Sequence, residues 1–165
     1  MLRRRTIASP VGPLTLYASG EALHAILWPG ENPRRIRLGE SVDAASPLLD
    51  EAIRQLGQYF AGTRQAFDLP LQEDGTDFQR RHWAALRAIP YGETRSYAGL
   101  AAQLGTPRAS RAVGAANGRN PLSIVTPCHR ALGSGGSLTG FAGGLAAKRW
   151  LLDHEARHRA PAGPG

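Results

Sequence analysis

Apolar residues near the start of the chain come in short runs that polar and turn-forming residues interrupt. The two clearest runs, Leu14 to Ala18 and Ala22 to Trp28, are bounded by Gly12-Pro13 and Ser19-Gly20. This arrangement is typical of strands joined by tight turns, so we predict an antiparallel sheet. The stretch from Pro29 to Ala45 mixes Gly, Pro, Asn and charged residues without periodicity, and we interpret it as a surface connection.

Ser46-Pro47 marks a change to helical spacing. A serine can accept a backbone N–H as an N-cap, and a proline fits the first helical position. Apolar residues then recur on one helical face up to Gly62, namely Leu49, Ile53, Leu56 and Phe60. The sequence predicts a helix over this range and a further strand over Phe67 to Leu71.

The polar residues Gln72-Glu73-Asp74-Gly75 separate this first half from a mainly helical second half. We predict an N-terminal α/β scaffold domain over residues 1–75, a second domain over residues 76–158 and a disordered tail over residues 159–165. The predicted fold class is therefore α+β.

Helical spacing dominates the second half. Thr76 can cap a helix that Pro90 ends, and its apolar residues are Phe78, Trp83, Leu86 and Ile89. Ser96 can cap a short helix through Leu104, and Thr106-Pro107 can cap and start another through Asn117. Two short helices joined by a tight glycine-containing turn form a helix-turn-helix.

The last third of the chain combines three patterns. An apolar, strand-like run over Leu122 to Val125 leads directly into Thr126-Pro127-Cys128-His129-Arg130. A glycine-rich stretch over Gly133 to Gly144 follows, and it is too flexible to hold one shape unless neighbours or a ligand order it. A final amphipathic helix is predicted from near Leu145 to about His158.

Composition and charge narrow the class of protein. The chain has 165 residues, 42% of them hydrophobic, which suffices for a core. Cys128 is the one cysteine, so an intramolecular disulfide and a cysteine-rich zinc site are excluded. The sequence has neither the apolar window of a membrane span nor the pattern of a signal peptide, and we expect a soluble, cytoplasmic protein. The formal net charge of +7 favours attraction to nucleic acid, but a biased genome composition can also enrich arginine.

Cys128 and His129 form the pair best suited to chemistry. A thiolate is the reactive form of cysteine, and an imidazole can accept the thiol proton if the loop turns the two side chains together. Adjacency in sequence does not ensure that geometry. The alternative is that Cys128 is a small buried hydrophobe and His129 a surface residue.

Residues around this pair resemble the O6-alkylguanine-DNA alkyltransferase family. The matching segments are Tyr91-Gly92-Glu93-Thr94, Ser96-Tyr97, Arg111-Ala112-Val113-Gly114, Asn120-Pro121, Pro127-Cys128-His129-Arg130, Phe141-Ala142-Gly143-Gly144, Lys148, Trp150-Leu151-Leu152 and Glu155. A weaker match lies at Ser9 to Leu14. The resemblance implies a ribonuclease-H-like N-terminal domain with a three-stranded antiparallel sheet. It also implies DNA repair by irreversible transfer of an alkyl group from O6-alkylguanine, and from O4-alkylthymine, to Cys128.

The resemblance assigns roles to several of the matching residues. Cys128 would accept the alkyl group, His129 would deprotonate it through an ordered water, and Glu155 would orient and charge-balance the imidazolium. Asn120 would brace the turn before the cysteine. Tyr97 would donate a hydrogen bond or proton to the departing purine.

Lys148 completes the predicted catalytic set. It lies two helical turns before Glu155, which places both residues on one face of the last helix. In-line displacement at an alkyl carbon needs one thiolate and a few positioned donors, so no metal and no organic cofactor is expected.

An alkylated guanine stacked in a duplex must be flipped out before an enclosed thiol can reach it. The second helix of the predicted pair has small side chains that permit close approach to DNA and that offer little to read bases with, namely Ala109, Ala112, Gly114, Ala115 and Ala116. The alternative is that these small residues pack in the core.

The family resemblance implies how that helix meets DNA. It would enter the minor groove of double-stranded DNA without reading sequence, Arg111 would fill the gap left by the flipped nucleotide, and Tyr97 would help to rotate the phosphate. We expect a monomer; cooperative binding along DNA is left open.

The glycine-rich loop is implied to form one wall of the base pocket. The residues assigned to that pocket are Phe141, Ala142, Gly143 and Trp83. Many family members carry tyrosine and serine where this chain has Phe141 and Ala142, and valine where it has Ala131. The pocket is therefore expected to work through shape and backbone donors.

Two other functions fit parts of the sequence. A non-catalytic helix-turn-helix or regulatory protein would bind DNA with an idle thiol, but related proteins of that kind lack the acceptor cysteine that this chain retains at Cys128. A cysteine hydrolase acting through Cys128 and His129 would turn over, because water cleaves a thioester. It would leave the small-residue helix and Arg111 unexplained.

Overall fold

The computed structural model describes residues 1–31, 36, 38–138 and 141–159. Its first half contains a sheet in which β1 (Leu2–Ile7), β2 (Leu14–Ala18) and β3 (Leu23–Leu27) pair antiparallel in sequence order. The predicted antiparallel meander is therefore present. Alternate residues of β2 are buried, which is the burial pattern of a strand with one face on the core.

A fourth strand extends the sheet on the outer side of β1. This strand, β4 (Ser41–Asp43), pairs parallel to β1, so the strand order is β3-β2-β1-β4. It lies within the stretch interpreted from sequence as a surface connection, and three residues are too few to show a strand pattern. Residues 32–35 and 37 of that stretch lie outside the described residues.

The helix α1 (Pro47–Phe60) covers one face of the sheet and begins where its capping residues predict. The Ser46 hydroxyl accepts a hydrogen bond from the Leu49 N–H at 3.2 Å. The strand predicted over Phe67 to Leu71 is wrong, since only Leu71 forms an isolated parallel bridge, with Leu23. Pro70 has no N–H to donate, which keeps a ladder from extending backward from that bridge.

The second half is mainly helical. Its elements are α2 (Asp77–Arg87), β5 (Arg95–Ser96), α3 (Tyr97–Gln103), α4 (Ser110–Gly118), β6 (Ala131–Leu132) and α5 (Leu145–His158). Thr76 and Gln79 form a reciprocal capping box at the start of α2, as the sequence predicts. The helix α4 begins later than predicted, because Thr106-Pro107 form a turn closed by the Ala109 N–H instead of a cap.

The helices α2, α3 and α4 enclose a second core around Trp83, Leu86, Leu100 and Val113. The pair α3 and α4 confirms the predicted helix-turn-helix, with Gly105 in the left-handed region that its turn requires (φ +79°). None of the helices in the described ranges is both long and apolar enough to cross a membrane. Residues 160–165 of the predicted disordered tail lie outside the described residues.

Candidate active site

A tight turn leads into the segment that carries Cys128. The strand-like run over Leu122 to Val125 forms only isolated bridges, at Leu122 and Ser123. The chain then turns: the Thr126 N–H returns to the Leu122 carbonyl at 2.8 Å, and Ile124 has φ +76°. That conformation is strained for a β-branched residue. Asn120 spans the turn, since its Nδ2 donates to the Thr126 carbonyl at 2.8 Å and its Oδ1 accepts from the Leu122 N–H at 2.9 Å. The asparagine thus lies where a brace for the cysteine segment should be.

Cys128 and His129 begin a single 3-10 turn in the interior of the second half. Cys128 is 4% exposed and His129 is fully buried. The His129 Nε2 lies 2.6 Å from the Glu155 Oε2. Because an ionised carboxylate can only accept, Nε2 carries the imidazole proton and Nδ1 carries the lone pair. This buried Nδ1 has no hydrogen-bond partner among the residues that the structure describes.

Glu155 is the centre of the hydrogen-bond network behind the imidazole. Arg130 donates to it through Nε at 2.8 Å and through Nη2 at 3.1 Å. The Tyr59 hydroxyl donates at 2.7 Å and the Gly92 N–H at 3.3 Å. Burial alone would raise the pKa of the Glu155 carboxyl, but the hydrogen bonds that it accepts from His129 and Arg130, together with the charge of the Arg130 guanidinium, hold this pKa below its ordinary value. Glu155 is therefore an ionised, fully hydrogen-bonded acceptor.

His129 is held neutral by its surroundings. Burial lowers the pKa of the imidazole, the Glu155 carboxylate opposes that effect, and the charges of Arg130 and Lys148 add to the lowering. A neutral imidazole whose proton lies on the Glu155 side is ready to accept a second proton at Nδ1. The chemical form required of a general base is thus present beside Cys128.

Tyr97 and Lys148 approach the cysteine segment from two different elements. The strands β5 and β6 pair parallel, which ties the residue before Tyr97 to the strand after the 3-10 turn. Lys148 of α5 is fully buried and its Nζ donates to the Ala131 carbonyl at 2.7 Å. Burial lowers the pKa of Lys148, and the charge of Cys128 opposes this change, so the ammonium and the sulfur interact.

The helix α4 presents part of its small-residue set to solvent. Arg111, Ala112 and Ala115 are exposed, while Ala109 and Gly114 are half-buried. The alternative that these small residues pack in the core holds fully only for Ala116. Because the exposed alanines have short side chains, the backbone of α4 can come close to the surface or groove of a binding partner.

The wall predicted for the base pocket rests on a residue of the first half. The Phe141 ring meets Trp28 edge-on, with centroids 5.4 Å apart. A Cβ atom at Gly143 would lie 2.6 Å from the Trp28 indole, so only glycine fits there. Ala142 between them is exposed. Thr139 and Gly140 of the glycine-rich stretch lie outside the described residues.

Trp83, also assigned to the base pocket, lies in the buried cluster that contains Cys128 and against which Phe141 packs. Trp83 is 1% exposed, its Nε1 donates to the Ala116 carbonyl at 2.9 Å, and its six-membered ring packs against Gly75. It lines a separate cavity of about 410 Å³ whose lining does not include Cys128 or Phe141. A role of Trp83 in the base pocket stays a prediction.

Two family models match the two halves of the chain separately. Residues 77–157 match the family model described as 6-O-methylguanine DNA methyltransferase, DNA binding domain. Residues 2–72 match the one described as 6-O-methylguanine DNA methyltransferase, ribonuclease-like domain. The chain belongs to the 6-O-methylguanine DNA methyltransferase family. The resemblance inferred from the cysteine segment is thereby confirmed.

Relatives match this family member over nearly its whole length. The methylated-DNA--protein-cysteine methyltransferase of Mycobacterium tuberculosis (strain ATCC 25618 / H37Rv) is 49% identical, over 98% of this chain and 96% of its own. The protein of the same name from Salmonella typhimurium (strain LT2) is 47% identical, over 93% and 95%. A crystal structure of Mycobacterium tuberculosis OGT in complex with DNA has a TM-score of 0.86 at 48% identity, covering 97% of this chain and 96% of that one.

Three residues at the site of this family member could not be assigned a role from the sequence. Arg130 stands in the cysteine segment, but nothing in the sequence says that its guanidinium turns toward Glu155. Tyr59 lies 96 residues from Glu155 and reads as one more residue of an amphipathic helix. Trp28 reads as the end of a strand. Each becomes visible only when the two halves are packed together.

Proposed function

We propose that this protein repairs DNA by transferring the alkyl group of O6-alkylguanine, and of O4-alkylthymine, to Cys128. Membership of the family supports this activity. The observation that carries it is the neutral His129, which follows Cys128 directly, donates its Nε2 proton to the Glu155 carboxylate and keeps a buried, basic Nδ1. Such a group can ionise a thiol at neutral pH without a metal.

The reaction proceeds in one displacement. The Cys128 thiol proton passes through a water molecule to the His129 Nδ1, and the resulting positive charge is balanced by Glu155. The sulfur attacks the alkyl carbon in line and forms a carbon–sulfur bond. The bond between that carbon and O6 breaks, and the electron pair of the broken bond stays with the purine. Tyr97 donates a hydrogen bond or proton to that purine, while the Lys148 ammonium stabilises the thiolate before attack.

The product explains why each molecule acts once. A thioether has no acyl carbon for water to attack, unlike the thioester of a cysteine hydrolase. The carbon–sulfur bond therefore stays, and the protein is consumed.

Double-stranded DNA containing the alkylated base is the proposed partner. The exposed Arg111, Ala112 and Ala115 of α4 give a surface that can enter the minor groove without reading sequence. The net charge of +7 adds salt-dependent attraction to phosphates. We assign these functions to a domain over residues 76–158, with residues 1–75 as a scaffold domain, in a protein that acts as a monomer.

Mass mapping of the modified residue tests the proposal. The protein is mixed with a duplex that contains O6-methylguanine, and its peptides are then weighed. We expect one methyl group per molecule, on the peptide that contains Cys128, and none in a Cys128→Ser variant. Repeated turnover, or a methyl group on another residue, would contradict the proposal.

The rate of alkyl transfer is expected to fall only at a pH below the ordinary pKa of an imidazole. Because the pKa of His129 lies below the ordinary imidazole value of 6.5, its basic form persists when the pH falls through that value. The single-turnover rate constant, measured from pH 8 down to about pH 5, is expected to show no loss centred near 6.5 and to fall only at lower pH. A half-maximal rate at or above pH 6.5 that follows the titration of His129 would contradict the expected environment of this imidazole.

A further inference from the structure

A second buried histidine is linked to the cysteine segment through Asn117 and takes no part in the proposed transfer. His82 of α2 is fully buried, and its Nε2 lies 3.1 Å from the Asn117 Oδ1. Its Nδ1 is buried with no hydrogen-bond partner in the described part of the chain. Asn117 of α4 is 3% exposed. A polar pair this deep in a core of apolar residues needs an explanation beyond packing.

The amide of Asn117 joins two groups of the proposed reaction. Its Nδ2 lies 3.4 Å from the Tyr97 hydroxyl and 3.3 Å from the Cys128 carbonyl. One planar group therefore contacts the backbone of the nucleophile and the phenol that donates to the purine. These two residues act on different atoms of the same base, so the separation between them must be fixed.

His82 determines which way that amide faces. The Asn117 Oδ1 can only accept, so the histidine donates through Nε2–H. Burial lowers the pKa of His82, which keeps the imidazole in the neutral form with that single proton. With Oδ1 held by the histidine, Nδ2 must face Tyr97 and Cys128. Since the Tyr97 oxygen accepts from Asn117, the phenol proton is directed away from the asparagine.

We propose that His82 is a positioning residue for alkyl transfer, acting through the Asn117 amide on Tyr97 and Cys128. This inference rests on the proposed function and deepens it. The imidazole does not touch the substrate. It sets the orientation of the amide, and the amide sets both the direction of the phenol proton and the distance from the phenol to the cysteine backbone.

A double-mutant cycle with Tyr97→Phe tests the inference. His82→Met fills the site without a donor, and His82→Gln keeps an N–H donor. At saturating O6-methylguanine duplex, we expect His82→Met to lower the single-turnover rate constant about tenfold, the loss of one neutral hydrogen bond. His82→Gln is expected to recover most of that loss. Made in Tyr97→Phe, His82→Met should slow transfer much less, because the hydroxyl that it orients is gone.

Controls separate positioning from folding and from the activity itself. His24→Met makes the same substitution at a half-buried histidine of β3 and should leave the rate unchanged. Asn117→Asp, in case His82→Met does not fold, keeps the acceptor for His82 but turns an acceptor toward Tyr97. Its slowing should likewise shrink in the Tyr97→Phe background.

Two outcomes overturn the inference. One is an equal loss from His82→Met, or from Asn117→Asp if only that variant folds, with and without the Tyr97 hydroxyl. The other is a loss that appears only as weaker DNA binding. Absence of transfer in the unmodified protein would instead contradict the proposed function.

Discussion

Replacing Glu155 with glutamine is expected to lower the free energy of unfolding by about 3–5 kcal/mol and to slow alkyl transfer at least about 100-fold. The substitution leaves the guanidinium of Arg130, 6% exposed, in the interior without its carboxylate partner. It also removes the charge that balances protonated His129. Urea unfolding measures the first effect, and single-turnover kinetics under conditions where the variant is folded measures the second.

Glu51 provides the matched control. It also pairs with an arginine, Arg54, at 2.6 Å, but both side chains are well exposed, at 39% and 54%. Water and salt screen such a pair, so Glu51→Gln should change stability little and the transfer rate not at all. If Glu51→Gln and Glu155→Gln lowered stability and transfer rate by similar amounts, burial of the Glu155 network would not explain the effect of Glu155→Gln.

Arg111→Ala is expected to slow repair of O6-methylguanine in a duplex by about 10- to 100-fold, because nothing then compensates the unstacking of the flipped nucleotide. The same variant should react with a free O6-alkylated guanine base at the unmodified rate, since no flipping is needed. Parallel single-turnover assays with the two substrates measure the difference.

Arg108→Ala is the appropriate comparison for that experiment. Arg108 is also exposed and lies in the turn before α4. As a phosphate contact it should weaken binding modestly and in a salt-dependent way. If Arg111→Ala slowed reaction with the free base as much as with the duplex, its proposed role in flipping would be wrong.

Local chemistry made much of the fold predictable from the sequence. Ser46 and Thr76 cap helices through hydrogen bonds that involve only their own neighbours, so α1 and α2 begin where expected. The last helix, α5, likewise has the predicted bounds. Such signals need no knowledge of the rest of the chain.

The sequence was less informative where distant contacts decide the structure. Leu122 to Val125 has strand-like composition, but Asn120 and the surrounding core bend it into a turn and force Ile124 into a left-handed conformation. The strand β4 exists because it extends the sheet beside β1, not because its own three residues favour it.

The candidate site was predictable in part for the same reason. Their adjacency in sequence predicted that Cys128 and His129 act as a pair. The family resemblance added Glu155, which lies 26 residues beyond the histidine. Neither could reveal that His82 contacts Asn117 and that Asn117 contacts the Cys128 carbonyl, because a buried histidine in an amphipathic helix has no distinctive sequence pattern.

Two aromatic residues of the first half reach into the second. Tyr59 donates to Glu155, and Trp28 stands behind Phe141 and Gly143. The two segments that match separate family models are consequently not interchangeable modules. If recombination replaced the first half with that of a distant relative, the new half would need both aromatic side chains. Without them, Glu155 would lose a hydrogen-bond donor, and Phe141 and Gly143 would lose the indole that they pack against.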